Sequence, residues 1–320
     1  SHYTLRRTFL TLDPRPLTPK RVVSVSLGSS KRNKTHSATI LGQECEISRV
    51  GTDGDLNAFR RKIEELDGKV DALGVGGADI WVVVGDKRYE FRQIRQLISG
   101  VKSTPVVDGS GLKHTLERET INILTEVLDW PKQRVLLVSA VDRYGMAQAL
   151  DKVCPNVVYG DLLFGLGLPI PIKKYSTVKV IASILLPIVT KLPFKWFYPT
   201  GAKQEERKPR HKKWFDWATV VCGDWHYIRR YAPDKMPGKT IITQTLRTAD
   251  IEWLKTTGAK QAITTTPVMG GETFATNVME GVIVALSRKR PGQMTEQDYL
   301  DALRRLGWVP NVIDLVDSRP

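Results

Sequence analysis

A chain of 320 residues with 41% hydrophobic and 26% charged side chains is long enough for two domains and a sizeable core, which excludes wholesale disorder. The net charge of +14 points to an anionic partner, whether nucleotide, nucleic acid or acidic membrane, and is silent on fold. Three cysteines (Cys45, Cys154, Cys222) and five scattered histidines lack metal-ligand spacing, which excludes a disulfide scaffold and a zinc signature and fits a reducing cytoplasm.

The N-terminus has no apolar segment followed by a cleavage site, so no secretory signal is expected. Residues 1–20, with Pro14, Pro16 and Pro19, read as an extended arm. Residues 21–28 (RVVSVSLG) predict a strand, and the polar stretch SSKRNKTHS after it is either an anion-holding turn through Ser29, Ser30, Lys31 and Lys34 or a solvated loop. A strand at 44–50 leads to GTDGD, which caps a helix over 56–66. Two apolar strands, 72–77 and 80–84, are split by GGAD; Asp86, Lys87 and Arg88 form a turn before Tyr89, Phe91 and a helix through Leu97. TPVVDGSG (104–111) is a short strand and loop, and the next helix sends Leu112, Leu116, Thr120, Ile123, Val127 and Leu128 to the core. Lys113, in its first turn, opposes the helix dipole, so something other than helix energetics requires it.

The rest of the chain is organised around residues 134–161, RVLLVSAVDRYGMAQALDKVCPNVVYGD. An apolar run to Val138, a tight segment from Ser139 to Gly145, helical spacing at Met146, Ala147, Leu150 and Val153, and a second apolar run ending at Asp161 outline a mononucleotide-binding βαβ unit. Such a unit offers helix N–H groups to a diphosphate and an acid to a ribose, which makes Ser139, Ala140, Asp142, Arg143, Tyr144, Gly145 and Asp161 the cofactor-binding candidates. Of the three positions where the fingerprint wants glycine, only Gly145 has one, and a buried βαβ unit without ligand has the same pattern.

Residues 162–217 form a basic, aromatic insert. Its apolar run, 180–189, contains Pro187 and is too short to cross a bilayer. Lys179, Lys191, Lys195, Lys208, Arg210, Lys212 and Lys213 alternate with Phe194, Trp196, Phe197, Tyr198, Trp214 and Phe215, a composition that suits a headgroup layer through 177–215, a lid or a homodimer contact. Strands at 219–223, 239–245 and 261–266 then alternate with a helix at 248–257 ended by Gly258, a helix entered through Gly270 and Gly271, and a last helix at 295–306 that opens TEQD. Thr264, Thr265 and Thr266 end a strand, where hydroxyls can face a ligand crevice; Asn277 and Glu280 follow on the next helix.

The pattern is α/β in two domains. One α/β region (21–130) precedes a second (131–290) that holds the βαβ unit and the insert, and a helix and tail (291–320) follow; Pro131 marks the junction at 130–134. The segments TPVVDGSGLKHTLE, LLVSAVDRYGMAQAL and AITTTPVMGGETFATNVMEG resemble a bacterial family labelled quinate or shikimate dehydrogenase, over most of the chain. The resemblance implies an N-terminal α/β substrate domain (21–130), a Rossmann-like dinucleotide-binding domain (131–290) and a C-terminal helix packing back, with NAD or NADP as cofactor, a small-molecule substrate, and a lysine and an aspartate acting on the hydroxyl, here matched by Lys113 and Asp108. The leading expectation is an NAD(P)-dependent oxidoreductase of an alcohol or carbonyl, cytoplasmic or peripheral at the inner membrane face, with Asp161 favouring NAD and the insert a lipophilic substrate. The competing one is a non-catalytic α/β protein that binds an anionic lipid or nucleotide through the insert. Nucleic-acid binding rests on charge alone and ranks last.

Overall fold

The computed structural model describes residues 18–85, 87–193, 206–269, 272–287 and 289–316. Most of the arm, the insert residues Phe194, Lys195, Trp196, Phe197 and Tyr198, and the pair Gly270 and Gly271 lie outside the described residues.

The chain begins with β1 (Lys20–Ser26), whose Val22, Val23 and Val25 are all buried, as in a parallel strand covered on both faces. The polar stretch begins as a short turn at Ser30–Arg32, as expected, and its second half opens β2 (Lys34–Ile40), an edge strand antiparallel to β3 (Gln43–Gly51), its outer positions left to water. Asp55 accepts from the N–H groups of Asn57 and Ala58 and so starts α1 (Leu56–Leu66). Then come β4 (Ala72–Gly76), the hairpin of β5 (Trp81–Val84) and β6 (Lys87–Glu90), α2 (Arg92–Ile98), β7 (Val106–Val107) and α3 (Ser110–Leu124).

The central unit is β8 (Val135–Leu137), α4 (Tyr144–Val153) and β9 (Val157–Tyr159), as its periodicity predicts. The apolar run of the insert is the C-terminal part of α5 (Tyr175–Val189), and α6 (Lys212–Trp217) follows. Next are β10 (Val220–Cys222), α7 (Trp225–Tyr231), β11 (Thr240–Thr243), α8 (Thr248–Thr257) and β12 (Gln261–Thr264). A small hairpin, β13 (Val268–Met269) and β14 (Glu272–Thr273), precedes α9 (Thr276–Ser287), which therefore starts later than expected. The last elements are α10 (Glu296–Arg305), capped by Thr295 and Asp298 as TEQD implies, and β15 (Asn311–Asp314), the extended tail, paired antiparallel to β12.

These elements make a mixed α/β fold with two largely parallel sheets. The first has the order β2-β3-β1-β4-β7 and the second β15-β12-β11-β10-β8-β9. In each, the first parallel strand lies between the next two in sequence, so the strand order reverses beside β1 and beside β8.

The helix α3 joins the two sheets. Leu112 and Leu116 pack with α9, α10 and the first sheet, while Ile121 and Leu124, one to two turns on, pack with α4, β8 and β9. Val127, expected in the core, is 74% exposed because α3 ends at Leu124, whose carbonyl accepts from the N–H groups of Val127 and Leu128. Trp130, at the expected junction, is buried in the core of the second sheet, and α9, assigned by sequence to the second region, packs on the first sheet instead.

Candidate functional site

The carboxyl end of β7 runs through Asp108 and Gly109 into α3, and the turn after β8 meets the first two turns of that helix. The carboxyl ends of strands from both sheets thus converge on Lys113 and Glu117. Gly109 is required at the start: its φ is +91°, and a Cβ there would lie 2.7 Å from the backbone nitrogen of Asn277.

Asp108 and Lys113 do not pair. The buried Asp108 carboxylate accepts from the N–H groups of Ile80 (2.8 Å), Trp81 (3.0 Å) and Ser110 (2.9 Å), tying the β4–β5 connection to the start of α3. Lys113 Nζ instead donates to Asp142 Oδ1 at 3.1 Å, with side-chain exposures of 15% and 35%. Burial alone would depress the Lys113 ammonium, but the Asp142 carboxylate, with Asp79 behind it, outweighs burial and lifts its pKa above the ordinary lysine range. Burial likewise pushes Asp142 up, and Lys113 and Arg143 more than reverse that, holding it well below the usual carboxylate range.

Arg143 lies beside this pair, 6% exposed. Its guanidinium reaches Glu117 Oε1 at 2.7 Å, Asp224 Oδ2 at 2.7 Å and Asp142 Oδ2 at 3.1 Å. Asp224 caps α7 through the N–H groups of His226 and Tyr227, so the Arg143–Asp224 pair spans the carboxyl ends of β8 and β10 where the strand order reverses. Gln244, after β11, adds a 3.0 Å bond to Asp224. Burial raises the Glu117 carboxyl, and Arg143 offsets that only in part. Burial and the neighbouring Lys113 depress His114, leaving a neutral imidazole whose Nδ1 accepts from Gly145 N–H at 3.4 Å.

The turn itself is held from within. Asp161 Oδ1 accepts from the N–H groups of Ala140 (3.0 Å) and Val141 (2.9 Å), and Oδ2 lies 3.1 Å from Ala140 N. Burial raises the Asp161 pKa to about 6 against the pull of these N–H groups. Ser139 and Asp161 are half-buried at the mouth of the turn, and no side chain caps α4. Tyr144 is buried with its ring edge-on to His114, centroids 5.7 Å apart. A Cβ on Gly145 would come within 2.2 Å of the His114 carbonyl oxygen, so this glycine is the point where α4 closes on α3. Val141 packs against α5 and the β5–β6 hairpin.

Thr265 and Thr266 follow β12, three strands over from β8, and their hydrogen bonds go to the residues after β11 and not to Lys113. Both are buried, extending β12 through N–H bonds to the carbonyls of Thr243 and Gln244, and Thr266 Oγ1 meets Thr245 Oγ1 at 2.8 Å. Asn277 donates to Ser24 Oγ at 2.7 Å and Glu280 accepts from Tyr299 at 2.6 Å, both beneath the first sheet. Burial raises Glu280 to about 7. Sequence reading missed His114, Glu117, Asp224 and Gln244. One signal was present: Lys113 and Glu117 share a face with Ile121 and Leu124 at helical spacing, so two charges stood on the core side of α3. Among the described residues no group of three or more His, Cys, Asp or Glu side chains is arranged to hold a metal.

None of the curated proteins matches this chain. Its shape is distantly similar to the hetero-hexameric glutamate dehydrogenase from Thermus thermophilus (14% identity, 90% of this chain and 74% of that one, TM-score 0.40). It is also similar to a periplasmic ribose ABC transporter from Conexibacter woesei (10% identity, 93% and 92%, TM-score 0.39) and to an NAD-dependent malic enzyme from Thermotoga maritima (13% identity, 90% and 84%, TM-score 0.36). Residues 21–108 match a domain of unknown function (DUF8753), and residues 111–315 match a second one, so the break falls at the start of α3. Because that second match covers more than half of the sequence, the chain belongs to the family described as Domain of unknown function (DUF8754).

Proposed function

We propose that this chain is an NAD(P)-dependent oxidoreductase that works on a carbonyl or alcohol, with the second sheet as a Rossmann-like nucleotide-binding domain and the first as a substrate domain. The observation that carries the reading is the meeting of Lys113 with Asp142 at the strand-order reversal beside β8, the place where open α/β sheets take their ligands. The ribose end of a nucleotide fits better than the diphosphate end. Asp161 sits at the mouth of the turn with lone pairs left for a hydroxyl, whereas Ala140 and Val141 N–H groups are already bonded to it.

When bound, the nicotinamide would supply or accept the hydride. Lys113, kept cationic by Asp142, is a hydrogen-bond donor to an oxygen that gains charge and not a resting base, and the same carboxylate makes it a weak acid, so water would supply the proton that completes a reduction. Its Nζ would donate to the substrate oxygen as negative charge builds there, and Asp142 would hold the ammonium in place. In the oxidising direction Lys113 must first lose a proton, which Asp142 opposes. Titrating the protein with NADH and NADPH while following nicotinamide fluorescence tests the reading; saturable binding of one is expected, and folded protein that binds neither removes it.

A second reading, a non-catalytic α/β protein that binds an anionic lipid or nucleotide through the basic aromatic insert and not at this turn, is favoured by Arg143. That cation is buried and committed to three carboxylates, so the turn offers a diphosphate no unengaged guanidinium. This reading predicts no nicotinamide binding and no hydride transfer.

A further inference from the structure

The helix α5 has two apolar faces, and among the described residues only one of them is covered. Tyr175, Val178, Ala182 and Leu186 are buried against α4 and the β5–β6 hairpin. On the other side Val180, Ile184, Leu185 and Ile188 are 58%, 63%, 36% and 59% exposed, and the loop before the helix exposes Leu166, Leu168 and Ile170. Among the described residues, seven of the eleven exposed large apolar side chains fall between positions 166 and 188, so the exposure is concentrated and not the single-residue scatter of an ordinary surface.

The charge around this face selects its partner. Between positions 162 and 204 the sequence has six lysines and no Asp or Glu. Lys173, Lys174 and Lys191, just beyond the two ends of α5, are all exposed, whereas Lys179 lies over the Tyr175 ring on the covered side, 5.4 Å from its centroid. A second copy of the same face would set these lysines against one another, whereas an anionic surface would neutralise them. At 15 residues the helix is about 22 Å long by its rise per residue, short of the roughly 30 Å hydrocarbon core, and among the described residues no helix is long and apolar enough to cross a membrane.

We propose that α5 docks this chain on a bilayer rich in anionic lipid, lying in the headgroup plane with Val180, Ile184 and Ile188 among the acyl chains and Lys173, Lys174 and Lys191 at the phosphates. The inference is independent of the oxidoreductase reading. Its geometric consequence is that Val141, in the turn after β8, packs on the covered side of α5, so that turn stands one helix diameter, about 10 Å, from the bilayer.

The test is flotation of the full chain with phosphatidylcholine vesicles and with vesicles containing phosphatidylglycerol, in low and high salt, beside light scattering of the protein alone. The variants are Ile184→Ser with Ile188→Ser, and Lys173→Gln with Lys174→Gln and Lys191→Gln, all at exposed positions and checked for fold by circular dichroism. The wild type should float with the anionic vesicles, and neutral lipid, high salt or either variant should reduce the bound fraction roughly tenfold or more. No flotation of the wild type, flotation unchanged in both variants, or a wild-type dimer that the isoleucine variant converts to monomer would each overturn the proposal.

Discussion

Lys113 places an ammonium in the first turn of a helix, where the dipole opposes it, and Asp142 from the other sheet offsets the cost. On the proposed chemistry, Lys113→Met should lower kcat by about a hundredfold or more and leave nicotinamide affinity unchanged, as steady-state rates beside a fluorescence titration will show. Arg143→Met strips Glu117 and Asp224 of their buried cation and should cost about 3–5 kcal/mol of stability, read from urea denaturation. Asp161 gives a pH signature whose sign is fixed. Its pKa is raised from 3.8 unfolded to about 6 folded, so the folded state holds the proton more tightly, and the stability this contributes is present below pH 4 and lost as pH rises to 6. That shift corresponds to about 3 kcal/mol, so Asp161→Asn, which keeps a carbonyl oxygen for Ala140 and Val141, should remove a decline of that order from the wild-type profile between pH 4 and 6. Lys113 was legible in the sequence because it conflicts with its own helix. Its partner was not, since Asp142 lies 29 residues away on a different sheet, and Asp108 was the nearer carboxylate.

At the level of elements, local signals were read where the chain supplies its own caps or period. The helix α1 behind Asp55, α8 ended by Gly258 and the strand–helix–strand order of β8, α4 and β9 follow from sequence alone. The edge strand β2 was missed because its polar residues alternate on an exposed face, and α7 because its seven residues carry too little period to register. Val127 was misplaced because periodicity does not say where a helix stops. The contact between α3 and α4 was hidden as well: Gly145 reads as a phosphate-turn glycine, yet its missing side chain is filled by the backbone of His114. Gly145→Ala should therefore force the two helices apart, lowering the thermal midpoint with a cost of about 1–3 kcal/mol or more, as an overpacked site does. An unchanged midpoint would show that the contact has slack.

Across the whole molecule, α3, α9 and α10 bury one face of the first sheet, with Val22, Ile40, Ile47 and Ala72 beneath them. All three helices fall outside residues 21–108, so the part of the chain matching the first family lacks the cover for its own sheet. A fragment of residues 18–108 should self-associate or fail to give a dispersed NMR spectrum; a well-folded monomer would contradict that. The sequence revealed two α/β regions but not that one continuous helix is shared between their cores, because a helix buried at both ends looks the same as one buried in a single domain. The most direct test of the oxidoreductase reading is a crystal structure of the protein soaked with NAD(H) or NADP(H). The reading predicts the ribose at Asp161, the diphosphate along residues 139–143 and the nicotinamide beside Lys113. It is contradicted if the cofactor stays out of a crystal whose lattice leaves the turn after β8 open to solvent, with Asp161 still bonded to Ala140 and Val141 and Arg143 still locked to Glu117 and Asp224.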